Sequence, residues 1–224
     1  MSLSVWTEVD NYICEVLALS DPALQAALKA SEAAGLPAIQ VSPTQGKFLN
    51  LQALLMHASN ILELGTLGGY STIWLARALP ARGRLITVDA NPKHSDVART
   101  NVAFAGLSDR VEFHVGVALE VLPQLAREGR GPFDFIFIDA NKSDMPEYFD
   151  WALRLSRPGS LIIADNVIRD GKVLDAATAD ADIQGVRRFN ERLAAEKRVS
   201  ATELQTVGSK GYDGFAMAVV LAGA

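Results

Sequence analysis

Cysteine is nearly absent: Cys14 is the only one in 224 residues. No intramolecular disulfide can form, so the fold must rest on a packed core, and a reducing, cytoplasmic setting is expected. Cys14 sits in an apolar stretch and reads as an inert, buried thiol. Basic charge is also short. Lys and Arg total 21 against 26 Asp and Glu, a net charge of −5, which argues against a nucleic-acid partner, because phosphate contacts need clustered cations. No apolar run approaches the roughly 18 residues of a membrane span. The start, MSLSVWTEVD, lacks the basic segment and apolar run of a secretion signal, so neither a membrane nor a signal peptide is expected. There is no repeat, low-complexity tract or linker. The three histidines, His57, His94 and His114, have no metal-ligand spacing; core, surface and strand-face roles are their defaults. What remains is 49% hydrophobic, enough for one globular domain spanning 1–224.

Two patterns divide that domain. Residues 1–58 read as a helical cover. Apolar side chains recur at spacings of three and four over 4–19 and 21–34, and a third helix runs from Ser42-Pro43 to about His57. Asp21-Pro22 and Ser42-Pro43 are each a capping side chain followed by a proline at the first helical position. Residues 59–224 read as an α/β core. Short apolar runs, ILELG, RLITVDA, VEFHVG, FDFIFIDA and SLIIADN, alternate with helical segments, the last at about 182–197. Continuous apolar strands separated by helices imply a mostly parallel sheet covered on both faces, a Rossmann-like architecture. The closing strands TELQTVG and GFAMAVVLA, joined by SKGYDG, are close enough for a hairpin, so one terminal strand should run antiparallel. Trp74 and Trp151 fall within helices and read as packing; Trp6 is a candidate for the N-terminal cover of the site.

In such a sheet, ligands bind beyond the C-terminal ends of the strands. The first strand ends in Glu63-Leu64-Gly65-Thr66-Leu67-Gly68-Gly69-Tyr70-Ser71. Gly65 and Thr66 begin a turn that a ligand can approach closely, and Ser71 can cap the next helix. Roughly twenty residues on, the second strand ends in Asp89, placed to accept both hydroxyls of a ribose. A plain βα turn with solvated acids is the bland alternative. Leu67 stands where a dinucleotide fingerprint needs glycine. Glu63 would repel a pyrophosphate but attract a sulfonium, which favours S-adenosylmethionine over NAD.

The fourth strand ends in Asp139 and the fifth in Asp165-Asn166. Neighbouring parallel strands lie about 4.8 Å apart, so these side chains rim one crevice. Two carboxylates and an amide oxygen form a hard ligand set for magnesium foremost, or manganese or calcium, rather than zinc. Taken singly, Asp139 could be a helix cap and Asp165-Asn166 an Asx turn. Lys142, in the loop over the crevice, is either a general base or a solvated loop lysine.

Together, VSPTQGKFL, ELGTLGGYS, ITVDANP, FIDANKSDMPEYF, IIADNVIRDGKV and FNERL resemble the cation-dependent class I O-methyltransferases, the caffeoyl-CoA and catechol O-methyltransferase family. The resemblance implies a seven-stranded sheet in the order 3-2-1-4-5-7-6, strand 7 antiparallel, and commonly a homodimer. It implies that Glu63, Gly65, Ser71, Asp89 and Asp139 line the S-adenosylmethionine site, with Thr66 in the same turn. Ala118 would lie beside the adenine and Ser42 at the methionine end. Asp139, Asp165 and Asn166 would hold the divalent metal, and Lys142 would take a proton from a small phenolic substrate. The sequence departs from the family pattern at Leu67, often aromatic in relatives; at Asn141, Asp in the plant enzymes; and at Val117, often an acid. None of these is an implied metal ligand. Residues 167–182 resemble the family's variable substrate loop.

Three alternatives stay open. A family member acting on a hydroxylated tRNA base predicts a basic rim. Arg187, Arg188, Arg192, Lys197 and Arg198 cluster late in the chain, but Glu191 and Glu196 interleave with them. An NAD-dependent oxidoreductase predicts the missing glycine. A binding protein without chemistry predicts a damaged metal triad, and the triad is whole.

Overall fold

The computed structural model describes residues 3–17 and 19–222. The ends of the chain, and residue 18 within the expected helix 4–19, lie outside the described residues. The helices are α1 (Leu3–Val16), α2 (Pro22–Ala33), α3 (Pro43–Leu55), α4 (Tyr70–Ala78), α5 (Pro92–Phe104), α6 (Ala118–Arg127), α7 (Met145–Arg154) and α8 (Ala181–Ala195). The strands are β1 (Asn60–Leu64), β2 (Arg84–Asp89), β3 (Val111–Val115), β4 (Phe133–Ile138), β5 (Ser156–Asp165), β6 (Val199–Gly208) and β7 (Gly211–Val220). No helix among the described residues is long and apolar enough to cross a membrane.

Local chemistry starts the helices where the sequence predicts. Asp21 accepts the backbone N–H groups of Ala23 and Leu24, Ser42 Oγ that of Gln45, and Asn91 that of Lys93, each just ahead of a proline. These bonds satisfy donors that the first turn leaves orphaned.

The sheet has the expected order, β3-β2-β1-β4-β5-β7-β6, and β7 runs antiparallel to both neighbours. Side-chain alternation divides the core in two. Leu62, Leu64, Ile136, Ile138, Ile162 and Ala164 join a cluster with α6, α7 and α8. Ile61, Phe135, Phe137, Leu161 and Ile163 join another with α2, α3 and α4. Because both faces are covered, all six residues of β4 are buried. Trp74 is buried on the α4 side and Trp151 packs against the other cluster.

The helices α1–α3 are laid on this frame. α3 packs on α4, α2 on α4 and α5, and α1 on α3 and the far strand β6. One connection differs from expectation. SKGYDG is not a free loop: Gly208 pairs with Gly211 across Ser209-Lys210, and Tyr212, Asp213 and Gly214 are already ladder residues of β7. Gly211 has φ +96, a conformation glycine enters without penalty, which permits so tight a turn.

Candidate active site

Strand register assembles the site. Leu64 pairs with Val88 and Ile138, and Ile138 with Ala164. One step further along the same four strands stand Gly65, Asp89, Asp139 and Asp165, a single row at the C-terminal edge. All four line one cavity of about 750 Å³, together with Thr66, Ser71, Ala118, Lys142 and Asn166.

Gly65 is required by this row. Its φ is +96, and a Cβ there would lie 2.0 Å from the Asp139 carbonyl oxygen. Asp89 is held by the turn it faces. Its Oδ2 accepts the N–H groups of Thr66 at 3.1 Å and Leu67 at 2.9 Å, and its Oδ1 accepts that of Asn91 at 2.8 Å.

Glu63 and Ser42 are not on the wall of this cavity. Glu63 points from β1 into the α4 side of the sheet and is 0% exposed. Its carboxyl accepts the hydroxyls of Ser71 (2.7 Å), Thr72 and Thr87 (2.7 Å). Burial, with a smaller push from the Asp139 charge, raises its pKa to about 7 against those three hydrogen bonds. The Thr87 hydroxyl donates to Glu63 and stands 2.6 Å from the Thr66 hydroxyl, which must therefore be the donor of that pair. Ser71 and Thr66 thus turn their protons inward and keep lone pairs free at the cavity. Glu63 acts on the cavity through these hydroxyls rather than by contact. Ser42 caps α3 and lines an adjoining cavity of about 320 Å³, which shares Asp165 and Asn166 with the first.

At the other end of the row, Lys142 is 7% exposed and donates to Asp139 Oδ1 at 2.9 Å. It begins the short 3₁₀ turn Lys142–Asp144. Asn141, the departure from the plant pattern, supports that turn: it donates to Ser143 Oγ at 3.0 Å and Asp144 Oδ2 at 2.7 Å and accepts the Tyr148 hydroxyl. Asp165 is 5% exposed, with Oδ1 accepting the Asn166 N–H at 2.9 Å. Burial raises its pKa and the Asp139 charge raises it further, while the Lys142 charge pulls it down. Asn166 has φ +60, a left-handed conformation that asparagine tolerates better than most residues. Among the described residues no cluster of three His, Cys, Asp or Glu side chains is placed to hold an ion. The candidate set is two carboxylates and an amide oxygen, with more negative charge than the one lysine offsets. That donor chemistry fits a hard divalent cation.

A family model described as O-methyltransferase matches residues 16–218. The catechol O-methyltransferase of Niastella koreensis is 58% identical over 98% of this chain and 100% of its own length. The catechol O-methyltransferase of Mycobacterium tuberculosis is 51% identical over 95% of each. The chain belongs to the O-methyltransferase family. Among solved structures, an O-methyltransferase from Bacillus cereus in complex with SAH superposes with a TM-score of 0.96 at 58% identity, over 98% of this chain and 100% of that one.

Several residues of this methyltransferase's cavity escaped the sequence reading. His94, expected at the surface, lines it and places Nδ1 3.2 Å from both Asp89 oxygens. The signal was available: Asn91 caps α5, so a residue three positions later lies in the first turn, beside the strand end. Gln45, Arg169, Lys210, Tyr212 and Asp213 also line it. Gln45 lies in the first turn of α3, while the others come from a loop and a hairpin distant in sequence that no local pattern marks. Trp6 lines neither cavity.

Proposed function

We propose that this O-methyltransferase moves the methyl group of S-adenosylmethionine to one hydroxyl of a small vicinal diphenol and needs a divalent cation to do so. The observation that carries the reading is the row Gly65, Asp89, Asp139, Asp165, whose glycine turn and carboxylates line one cavity wall. The names of its relatives support the acceptor class.

In this reading the Gly65–Thr66 turn and Asp89 take the nucleoside, with Ala118 beside the adenine. Ser71 and Thr66 offer hydroxyl oxygens to the methionine ammonium, backed by Glu63, while Ser42 lines the adjoining cavity beside Asp165 and Asn166. Asp139, Asp165 and Asn166 would hold magnesium, or manganese or calcium, which when bound would chelate two adjacent acceptor oxygens and favour their ionised form. Lys142, in its neutral form, takes the phenolic proton. The oxygen then forms its bond to the methyl carbon as the carbon–sulfur bond breaks and the electron pair stays on sulfur. Nothing covalent forms with the protein. Positioning the two substrates can therefore supply much of the acceleration, an effect worth about 7–11 kcal/mol.

The arginines of α8 and Arg198 just beyond it support a small acceptor over a nucleic acid. Arg192 pairs with Asp150 and Glu196, Arg198 pairs with Glu196, and Arg187 and Arg188 donate to backbone carbonyls of Val173 and Ser143. The single cysteine suits the cytoplasm, and the apolar outer faces of α1 and α3 suit a homodimer.

The deciding assay incubates the protein with S-adenosylmethionine and catechol, caffeate, caffeoyl-CoA or bulk tRNA, each with magnesium and with EDTA, and measures S-adenosylhomocysteine. Product from a diphenol only when metal is present is expected. Product from tRNA alone, or diphenol turnover indifferent to EDTA, overturns the reading.

A further inference from the structure

One cation in the cavity is not used by the fold. Arg169 lines the wall, three residues beyond Asn166. Its Nε is buried without a hydrogen-bond partner, and among the described residues its guanidinium joins no hydrogen bond or ion pair. The contrast is Arg130, whose Nε is also unpartnered but whose terminal nitrogens pair with Glu112 and Glu128. A buried N–H without an acceptor is costly, and native structures rarely leave one unless a ligand supplies what is missing.

The backbone holds Arg169 in place at a further cost. Arg169 and Asp170 adopt φ +55 and +56, a left-handed conformation that non-glycine residues enter mainly where surrounding contacts force it. Asp213 is that contact: its Oδ1 accepts the N–H groups of Ile168 at 3.0 Å, Arg169 at 2.9 Å and Gly214 at 2.9 Å. The loop is thereby pinned to β7, and the Asp213 oxygen that pins it is already engaged.

Outside the row that would hold the metal and the nucleoside, the other charged side chains of the lining have roles of their own. Lys210 donates from Nζ to the Ala38 carbonyl at 2.8 Å. Asp170 is exposed, and Asp182 sits in the first turn of α8, where the helix dipole already favours a negative charge.

We propose that Arg169 is a specificity determinant that recognises an anionic substituent, a carboxylate, on the acceptor ring. This rests on the diphenol reading and narrows it to carboxylated vicinal diphenols. A planar guanidinium fork matches a carboxylate better than any neutral group.

The test compares kcat/KM for 3,4-dihydroxybenzoate, its methyl ester and 3,4-dihydroxyphenethylamine in wild type, Arg169→Gln and Arg169→Gly, the last chosen because glycine suits the left-handed backbone if the first variant folds poorly. Calorimetry with S-adenosylhomocysteine checks that each variant keeps its cofactor site. The acid is expected to be the preferred acceptor, and the acid-to-ester ratio should fall about ten-fold or more in the variants, carried by KM. An unchanged ratio, or a preference for the amine, overturns the proposal. If none of the three is turned over, the diphenol reading has failed. Calorimetric titration with 3,4-dihydroxybenzoate then decides on Arg169 alone: binding weakened in both variants supports its role, and unaltered or absent binding ends it.

Discussion

Asp165 and Glu63 are carboxyl groups kept out of water two residues apart in the register of the sheet. Both have raised pKa values, Glu63 to about 7, with burial the largest cause in each. A carboxyl whose folded pKa lies above its unfolded value binds protons more tightly in the native state. Its contribution to stability is fully present below the unfolded pKa, near 4.5 for Glu63, and is lost as pH rises through the folded one. Replacing Glu63 with Gln removes the buried charge and keeps the shape. The melting temperature of Glu63→Gln relative to wild type should therefore climb between pH 5 and pH 8, by up to roughly 3 kcal/mol of relative stability. A difference that stays flat, followed by calorimetric melts across that range, would contradict the assigned burial. Asp165→Asn should behave alike in the metal-free protein, melting higher than wild type at pH 8. It should also lose the stabilisation that added magnesium gives the wild type by mass action, and lose turnover, while keeping its affinity for S-adenosylhomocysteine. If the variant melts lower and still responds to magnesium, Asp165 is not a ligand.

Elements meet tightly where α8 touches the turn that carries Lys142. A Cβ on Gly185 would lie 2.1 Å from the Lys142 carbonyl oxygen and 2.6 Å from Ser143 Cα, so only glycine lets the helix seat there. Gly185→Ala should displace the Lys142 turn, lower kcat by about a hundred-fold, and cost on the order of 2–3 kcal/mol of stability, as overpacking does. S-adenosylhomocysteine affinity should change little, because Gly65 and Asp89 stand on other strands. A kcat within a few-fold of wild type would show that the turn yields. This contact also marks where sequence reading stops. Lys142 was legible because it follows a strand end by three residues. Gly185 sits inside an ordinary amphipathic helix, and nothing local distinguishes it from a glycine tolerated by chance. Glu63 was legible as a site residue but not as one working through Ser71 and Thr66, since that depends on Thr87 of the adjacent strand.

For the whole molecule, periodicity sufficed for a covered, mostly parallel sheet, and hairpin spacing for an antiparallel strand. The order of the strands came from the resemblance, because hydrophobic alternation is the same for any permutation of buried strands. Arg169 and Asp213 were beyond reach: a loop after β5 and a residue of β7 meet only because β7 inserts between β5 and β6. The outer surface poses a related question. α1 buries no residue within the chain, although Leu3, Val5, Val9, Tyr12 and Val16 make it apolar. Its tie to the core is thin, with Asp10 accepting the Ser209 N–H at 2.8 Å. Isolated helices of this length are marginal in water, and α1 lies against α3, which exposes Leu51, Leu54 and Leu55. A second copy of the chain covering both faces would account for a helix that the monomer does not need. Light scattering on the intact protein at micromolar concentration should report a dimer. Tyr12, 65% exposed, and Leu55, 74% exposed, are the side chains with most to bury. Tyr12→Glu and Leu55→Asp should each weaken association by about 2 kcal/mol or more, shifting the protein toward monomer and lowering its melting temperature, while a wild type that scatters as a monomer would leave α1 to some other cover.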